Sequence, residues 1–73
     1  MIKTNDWMKS GTSNHGDETR YTLHGGWFMS FTKSLGEVAV RSPDGHFARL
    51  DTEEPVTTVM AAKRLAADYV NKY

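Results

Sequence analysis

The most constraining feature of this sequence is the turn Ser42-Pro43-Asp44-Gly45, which separates two short runs of alternating apolar and polar residues. Proline presets φ for a type I turn, and glycine can take the positive φ that a bulge requires. Because the geometry of such a loop sets which residues face each other, the turn predicts a hairpin register. The predicted cross-strand pairs are Ser42 with His46, Arg41 with Phe47, Val40 with Ala48, Ala39 with Arg49, and Val38 with Leu50.

The two faces of this hairpin differ in chemistry. In a strand, successive side chains point to opposite faces. The inner face is therefore predicted to carry only apolar side chains, namely Val38, Val40, Ala48 and Leu50. The opposite face carries Arg41, Phe47 and Arg49, which is an aromatic ring between two guanidinium groups.

A second hairpin is predicted around His24-Gly25-Gly26, between runs with the same alternation. A three-residue loop with Gly26 in the left-handed region would place five large side chains on one face: Tyr21, Leu23, Trp27, Met29 and Phe31. Its pairs would be Leu23 with Trp27, Tyr21 with Met29, and Thr19 with Phe31. A two-residue loop would pair Leu23 with Phe28 instead and divide the aromatic residues between the faces, so hydrophobic consistency favours the longer loop.

A helix is predicted to follow the second hairpin. Thr52 is a candidate N-cap, Glu53 and Glu54 would complement the helix dipole, and Pro55 would lie in the first turn. The helix would run to about Asn71, with one continuous apolar stripe: Val59, Ala62, Leu65, Ala66, Tyr69, Val70 and Tyr73. The predicted fold class is α+β, with a small antiparallel meander of three to four strands and one C-terminal α-helix packed on one face.

Residues 1–18 are polar and rich in turn-forming residues, and we expect a mobile or loosely packed segment there, followed by a single sheet-and-helix domain over residues 19–73. Thr4 could cap a single helical turn through Asp6-Trp7-Met8-Lys9, or these residues could form a short edge strand. Trp7 and Met8 are expected to pack somewhere on the domain.

Composition excludes several classes of protein. The chain has 73 residues, no cysteine and a formal net charge of +0, so disulfide scaffolds, cysteine-type zinc sites and thiol nucleophiles are excluded. We expect a cytoplasmic protein with no membrane partner, because no apolar run approaches about 18 residues and the first residues lack the apolar stretch of a signal peptide. A domain this small has a thin core, and a partner subunit would stabilise it.

The sequence offers no arrangement typical of an enzyme. Its three histidines, His15, His24 and His46, are predicted to lie apart, at a loop, a hairpin tip and a strand edge. His15 with Asp17 makes too few ligands for a closed metal site. We therefore expect no catalytic residue, no metal and no cofactor.

The predicted outer face of the sheet is the most informative surface. One helix covers one side, which leaves Phe28 and Phe47 exposed beside Arg41 and Arg49 as candidate partner-binding residues. Aromatic and arginine side chains are enriched at the centres of protein interfaces. The leading hypothesis is a small non-enzymatic protein-binding module, an inhibitor or regulator of the type that phages and other mobile elements encode.

Three alternatives stay open. The face could bind nucleic acid by stacking and charge, with help from Arg20 and Lys33, although a neutral chain argues against this. It could be a homodimer interface, with a second copy of the chain as the partner. Finally, the Trp7-Met8 segment could fold back and cover the face, which would leave it without a binding role.

Overall fold

The computed structural model describes residues 2–12, 17–50 and 52–73. A single 3₁₀ turn at Thr4–Asp6 precedes five strands and one helix. The strands and the helix, in chain order, are β1 (Met8–Thr12), β2 (Glu18–Leu23), β3 (Trp27–Thr32), β4 (Glu37–Arg41), β5 (Phe47–Leu50) and α1 (Val59–Lys72).

The strands form one antiparallel sheet in the order β1-β2-β3-β4-β5, which is a meander with β3 at its centre. The prediction of an α+β domain with a C-terminal helix is confirmed. The sheet has one strand more than the predicted three to four, because β1 forms the edge strand that the sequence left open as an alternative. A bulge between Lys9 and Gly11 interrupts the pairing of β1, which hides its period in the sequence.

Both predicted hairpin registers are confirmed. In the first hairpin, Leu23 pairs with Trp27, Tyr21 with Met29, and Thr19 with Phe31. In the second, Arg41 pairs with Phe47, Val40 with Ala48, Ala39 with Arg49, and Val38 with Leu50. Positive φ at Gly26 and Gly45 closes the two loops as expected.

The helix begins later than the sequence predicted, at Val59. Thr58 is its N-cap, with an Oγ1 that accepts a hydrogen bond from the Ala61 N–H at 3.1 Å. Thr52, the predicted cap, instead donates its hydroxyl proton to the Glu54 carbonyl at 2.6 Å. Residues 52–57 do not form helix because they pack against the β3–β4 turn, where the Val56 N–H binds the Gly36 carbonyl at 3.0 Å.

The core lies between α1 and the inner face of the sheet. Its buried members are Trp7, Tyr21, Leu23, Met29, Phe31, Val38, Val40, Ala62 and Ala66. The alanines on α1 let the helix approach the sheet closely, as the sequence predicted. The buried part of the apolar stripe is shorter than predicted, because Val59 and Tyr73 at its two ends are exposed.

The described part of the N-terminal segment belongs to the same core. Trp7 is 3% exposed and packs in the core cluster with the helix alanines. The Ile2 N–H donates to Asn71 Oδ1 at 2.9 Å, and Asn71 Nδ2 donates to the Ile2 carbonyl at 3.0 Å. The expectation that residues 1–18 are mobile or loosely packed stays a prediction. Residues 1 and 13–16 of that segment lie outside the described residues.

Candidate functional site

The five strands each place one residue in a continuous row on the face of the sheet that α1 does not cover. Pairing across the strands connects these neighbours in the order Met8, Thr22, Phe28, Arg41 and Phe47, and we call this set the outer row. Along each strand, the residues before and after an outer-row residue point to the inner face, because successive side chains alternate between the two faces of the sheet.

The apolar members of the outer row are in contact with solvent. Met8 is 69% exposed, Phe28 41% and Phe47 62%. The alternative that the Trp7-Met8 segment covers this face is therefore wrong. Trp7 is in the core on the helix side, whereas Met8 extends the uncovered face by one strand. Several large apolar side chains exposed on one face are a common feature of interaction sites.

Arg41 lies at the most informative position of the outer row, between two aromatic residues. Its guanidinium carbon is 4.5 Å from the centroid of the Phe28 ring, which is a cation–π geometry. Phe47 is its cross-strand partner on the other side. Stacking on Phe28 orients the guanidinium and leaves its N–H edges accessible to a partner.

The next two rows of the same face carry further charges, with Arg20 and Arg49 in the first and Glu18 and Glu37 in the second. Arg20 Nε is 2.7 Å from Glu18 Oε1, and an Arg49 terminal nitrogen is 3.9 Å from Glu37 Oε1. The structure thus brings three of the four predicted site residues, Phe28, Arg41 and Phe47, into one row. The fourth, Arg49, lies one row away and faces a carboxylate.

A shallow depression of about 320 Å³ lies on this face, between the two rows. Polar and aromatic side chains line it, including Ser10, Arg20, Phe28, Ser30, Arg41 and Phe47. Ser10 reaches it because the bulge in β1 inserts this residue opposite β2. Sequence reasoning missed Met8, Thr22 and Ser10. Around Met8 the sequence Trp7-Met8-Lys9 shows no period-two alternation long enough to predict a strand.

A cluster of Ser42, Asp44 and His46 lies at the tip of the second hairpin, and its hydrogen bonds shape the turn. The Ser42 hydroxyl donates to Asp44 Oδ1, and the His46 N–H donates to Ser42 Oγ at 3.1 Å. The Ser42 and His46 hydrogen bonds hold the pKa of Asp44 below its usual value. Ser42 is buried and the contact of His46 uses its main chain, so these residues act as a turn motif.

A second carboxylate has the same kind of role at the β3–β4 turn. Asp17 accepts a hydrogen bond from the Ser34 hydroxyl at 2.6 Å and from the Ser34 N–H at 2.9 Å. These bonds lower the pKa of Asp17, because they favour its charged form. Burial raises the pKa of Tyr21, whose ring packs in the core.

Within residues 2–12, 17–50 and 52–73, no group of three or more histidine, aspartate or glutamate side chains could hold a metal ion. His15, which the sequence analysis weighed as a ligand, lies outside the described residues. None of the described helices is both long and apolar enough to cross a membrane. Comparison with known proteins gives no match to a family model, a curated protein or a solved structure.

Proposed function

We propose that this chain is a small non-enzymatic protein-binding module, an inhibitor or regulator that acts by occupying a surface of its partner. The observation that carries the proposal is the outer row. Phe28 and Phe47 remain exposed on either side of Arg41 although the chain has a helix and an N-terminal segment with which to cover them.

The residue types and their placement support recognition of a protein. Aromatic and arginine side chains supply most of the binding energy at many protein interfaces, usually near the centre of the contact. The outer row brings them together on the neighbouring strands β3, β4 and β5, and the paired strands hold them in place. A rigid surface loses little conformational entropy on binding, so more of the contact energy appears as affinity.

The proposal is tested by capture of partners from the cells that express the chain, with immobilised wild type and variants. We expect Phe47→Ala to weaken capture by about tenfold or more, because truncation of an interface anchor costs that much. Arg49→Glu should also weaken capture, because it reverses a charge in the row next to the outer row. Leu35→Ala is the matched control, because Leu35 is 61% exposed but lies in the β3–β4 turn, away from the outer row.

Circular dichroism verifies that each variant is folded. A photo-reactive phenylalanine analogue at position 47 should crosslink to the captured protein, whereas the same analogue at position 35 should not. Equal capture by wild type, Phe47→Ala and Arg49→Glu would refute the assignment of this surface.

A second candidate function is the binding of single-stranded nucleic acid. The observation that favours it is the stacking of Arg41 on Phe28, because bases stack on Phe and Arg side chains in proteins that bind nucleic acid on a sheet surface. Gel shifts at low and moderate salt test it, because phosphate contacts produce a steep loss of affinity with salt. Absence of a shift at low salt would eliminate this function.

A further inference from the structure

The charges on the uncovered face are unevenly compensated. Glu18 pairs with Arg20 and Glu37 faces Arg49, both in contact with water. Arg41 has no carboxylate within ion-pair distance among the described residues, and its guanidinium lies over the Phe28 ring. Among the described residues, the Arg41 guanidinium is thus uncompensated, and its cross-strand neighbours are the aromatic residues Phe28 and Phe47.

The surroundings of Arg41 combine the features that bind a carboxylate attached to an apolar group. A guanidinium presents a planar fork of N–H donors that matches a carboxylate. Phe28 and Phe47 supply apolar contact on each side, and Ser10 and Ser30 add hydroxyl groups to the same depression. Ligand sites commonly have this composition, with apolar walls and a few polar groups that fix orientation.

We propose that the outer row recognises a segment of a partner protein in which an aspartate or glutamate is next to an aromatic or aliphatic residue. The carboxylate binds Arg41, and the apolar neighbour packs on Phe28 and Phe47. This inference rests on the proposed function and names the chemistry of the partner.

Charge complementarity favours this occupant over a nucleic acid. A nucleic-acid strand brings a run of phosphates, and its binding draws on many cationic contacts. Here Glu18 and Glu37 already occupy Arg20 and Arg49, so the face offers few free cations to a run of phosphates, whereas a single carboxylate needs only Arg41. A second copy of the chain, related by a two-fold axis through the outer row, would place the Arg41 side chains of the two copies next to each other, and their like charges would repel.

The experiment is a titration of the isotope-labelled full chain by NMR with two probes of nearly the same shape, 3-phenylpropionate and the neutral 3-phenylpropionamide. We expect about millimolar affinity for the acid, as for small ligands in general. The acid should bind about two- to fivefold more tightly than the amide, because an exposed ion pair adds that much. The shifts should map to β3, β4 and β5.

Arg41→Gln should abolish the preference for the acid. Arg64→Gln, which makes the same change at an exposed arginine of α1, should retain it. Equal affinity for acid and amide, shifts confined to α1, or a preference that survives in Arg41→Gln would overturn the inference. Tight, salt-dependent binding of a ten-nucleotide oligothymidine would also overturn it, as would a homodimer that the Phe47→Ala substitution dissociates.

Failure of this inference is distinguishable from failure of the proposed function. Partner capture that is lost in Phe47→Ala but unchanged in Arg41→Gln would refute the recognition of a carboxylate and leave protein binding in place. Capture unchanged in both variants, together with equal affinity for acid and amide, would refute both.

Discussion

At the scale of single residues, Gly36 is the position where the backbone leaves least freedom. Its φ is +65°, in the left-handed region, and it faces the loop that leads to the helix. A Cβ at this position would lie 2.4 Å from Pro55 Cβ and 2.9 Å from the Val56 nitrogen. Because the Gly36 carbonyl also accepts the Val56 N–H, one residue attaches the loop to the sheet.

We expect Gly36→Ala to lower the free energy of unfolding by about 2–4 kcal/mol, since backbone strain and a steric clash add. Gly45→Ala should cost only about 1–2 kcal/mol, because Gly45 has a φ of +91° but no neighbour within 4 Å. Gly11→Ala, with neither constraint, serves as the control. Urea unfolding measures all three. Equal losses at Gly36 and Gly45 would show that the contact with Pro55 contributes nothing.

At the scale of elements, the start of α1 shows how tertiary contacts select between competing caps. Thr52 is followed by acidic residues and a proline, which is the stronger local signal, yet Thr58 is the N-cap. The Val56 N–H is bound to the Gly36 carbonyl of the β3–β4 turn, and residues 52–57 do not form helix. The helix therefore begins only where its alanines reach the sheet.

Substitution of the two threonines distinguishes the two starting points. Thr58→Ala should lower the free energy of unfolding by about 1 kcal/mol, because the Ala61 N–H loses its side-chain acceptor. Thr52→Ala should cost less than about 0.5 kcal/mol, as for other exposed residues. Thermal unfolding followed by circular dichroism measures both. A larger effect at Thr52 would mean that the helix starts where the sequence alone predicted.

At the scale of the whole molecule, the N-terminal segment contacts the last turn of α1. Ile2 and Asn71 exchange two hydrogen bonds, and Trp7 fills the core beside α1. The Trp7 Nε1 atom is buried and has no hydrogen-bond partner among the described residues. An unpaired buried donor is costly, so the large apolar contact of the indole must outweigh that cost.

We expect Trp7→Ala to lower the free energy of unfolding by about 3–5 kcal/mol, the range for removal of a buried aromatic side chain. That is comparable with the whole stability of a domain of this size. Met8→Ala, at the adjacent exposed position, should change it by less than about 0.5 kcal/mol. Equilibrium urea unfolding measures both variants. A small effect of Trp7→Ala would show that the Trp7 indole contributes little to the core.

The sequence by itself determined the two hairpin registers and the faces that follow from them. A loop of two or three residues leaves few backbone geometries, so His24-Gly25-Gly26 and Pro43-Asp44-Gly45 set which residues pair. Period-two alternation then assigned Phe28 and Phe47 to the side opposite the core. These are local effects, and a single chain segment carries all the information that they need.

Only the tertiary structure decided the pairing of β1, the start of α1 and the assembly of the outer row. Phe28 meets Arg41 because β3 and β4 pair across the Lys33–Gly36 turn, and this turn depends on contacts with Asp17 and Val56, which are distant in sequence. Met8 joins the row because Trp7 enters the core. Such contacts form between segments whose local preferences are weak, so packing of the whole chain selects them.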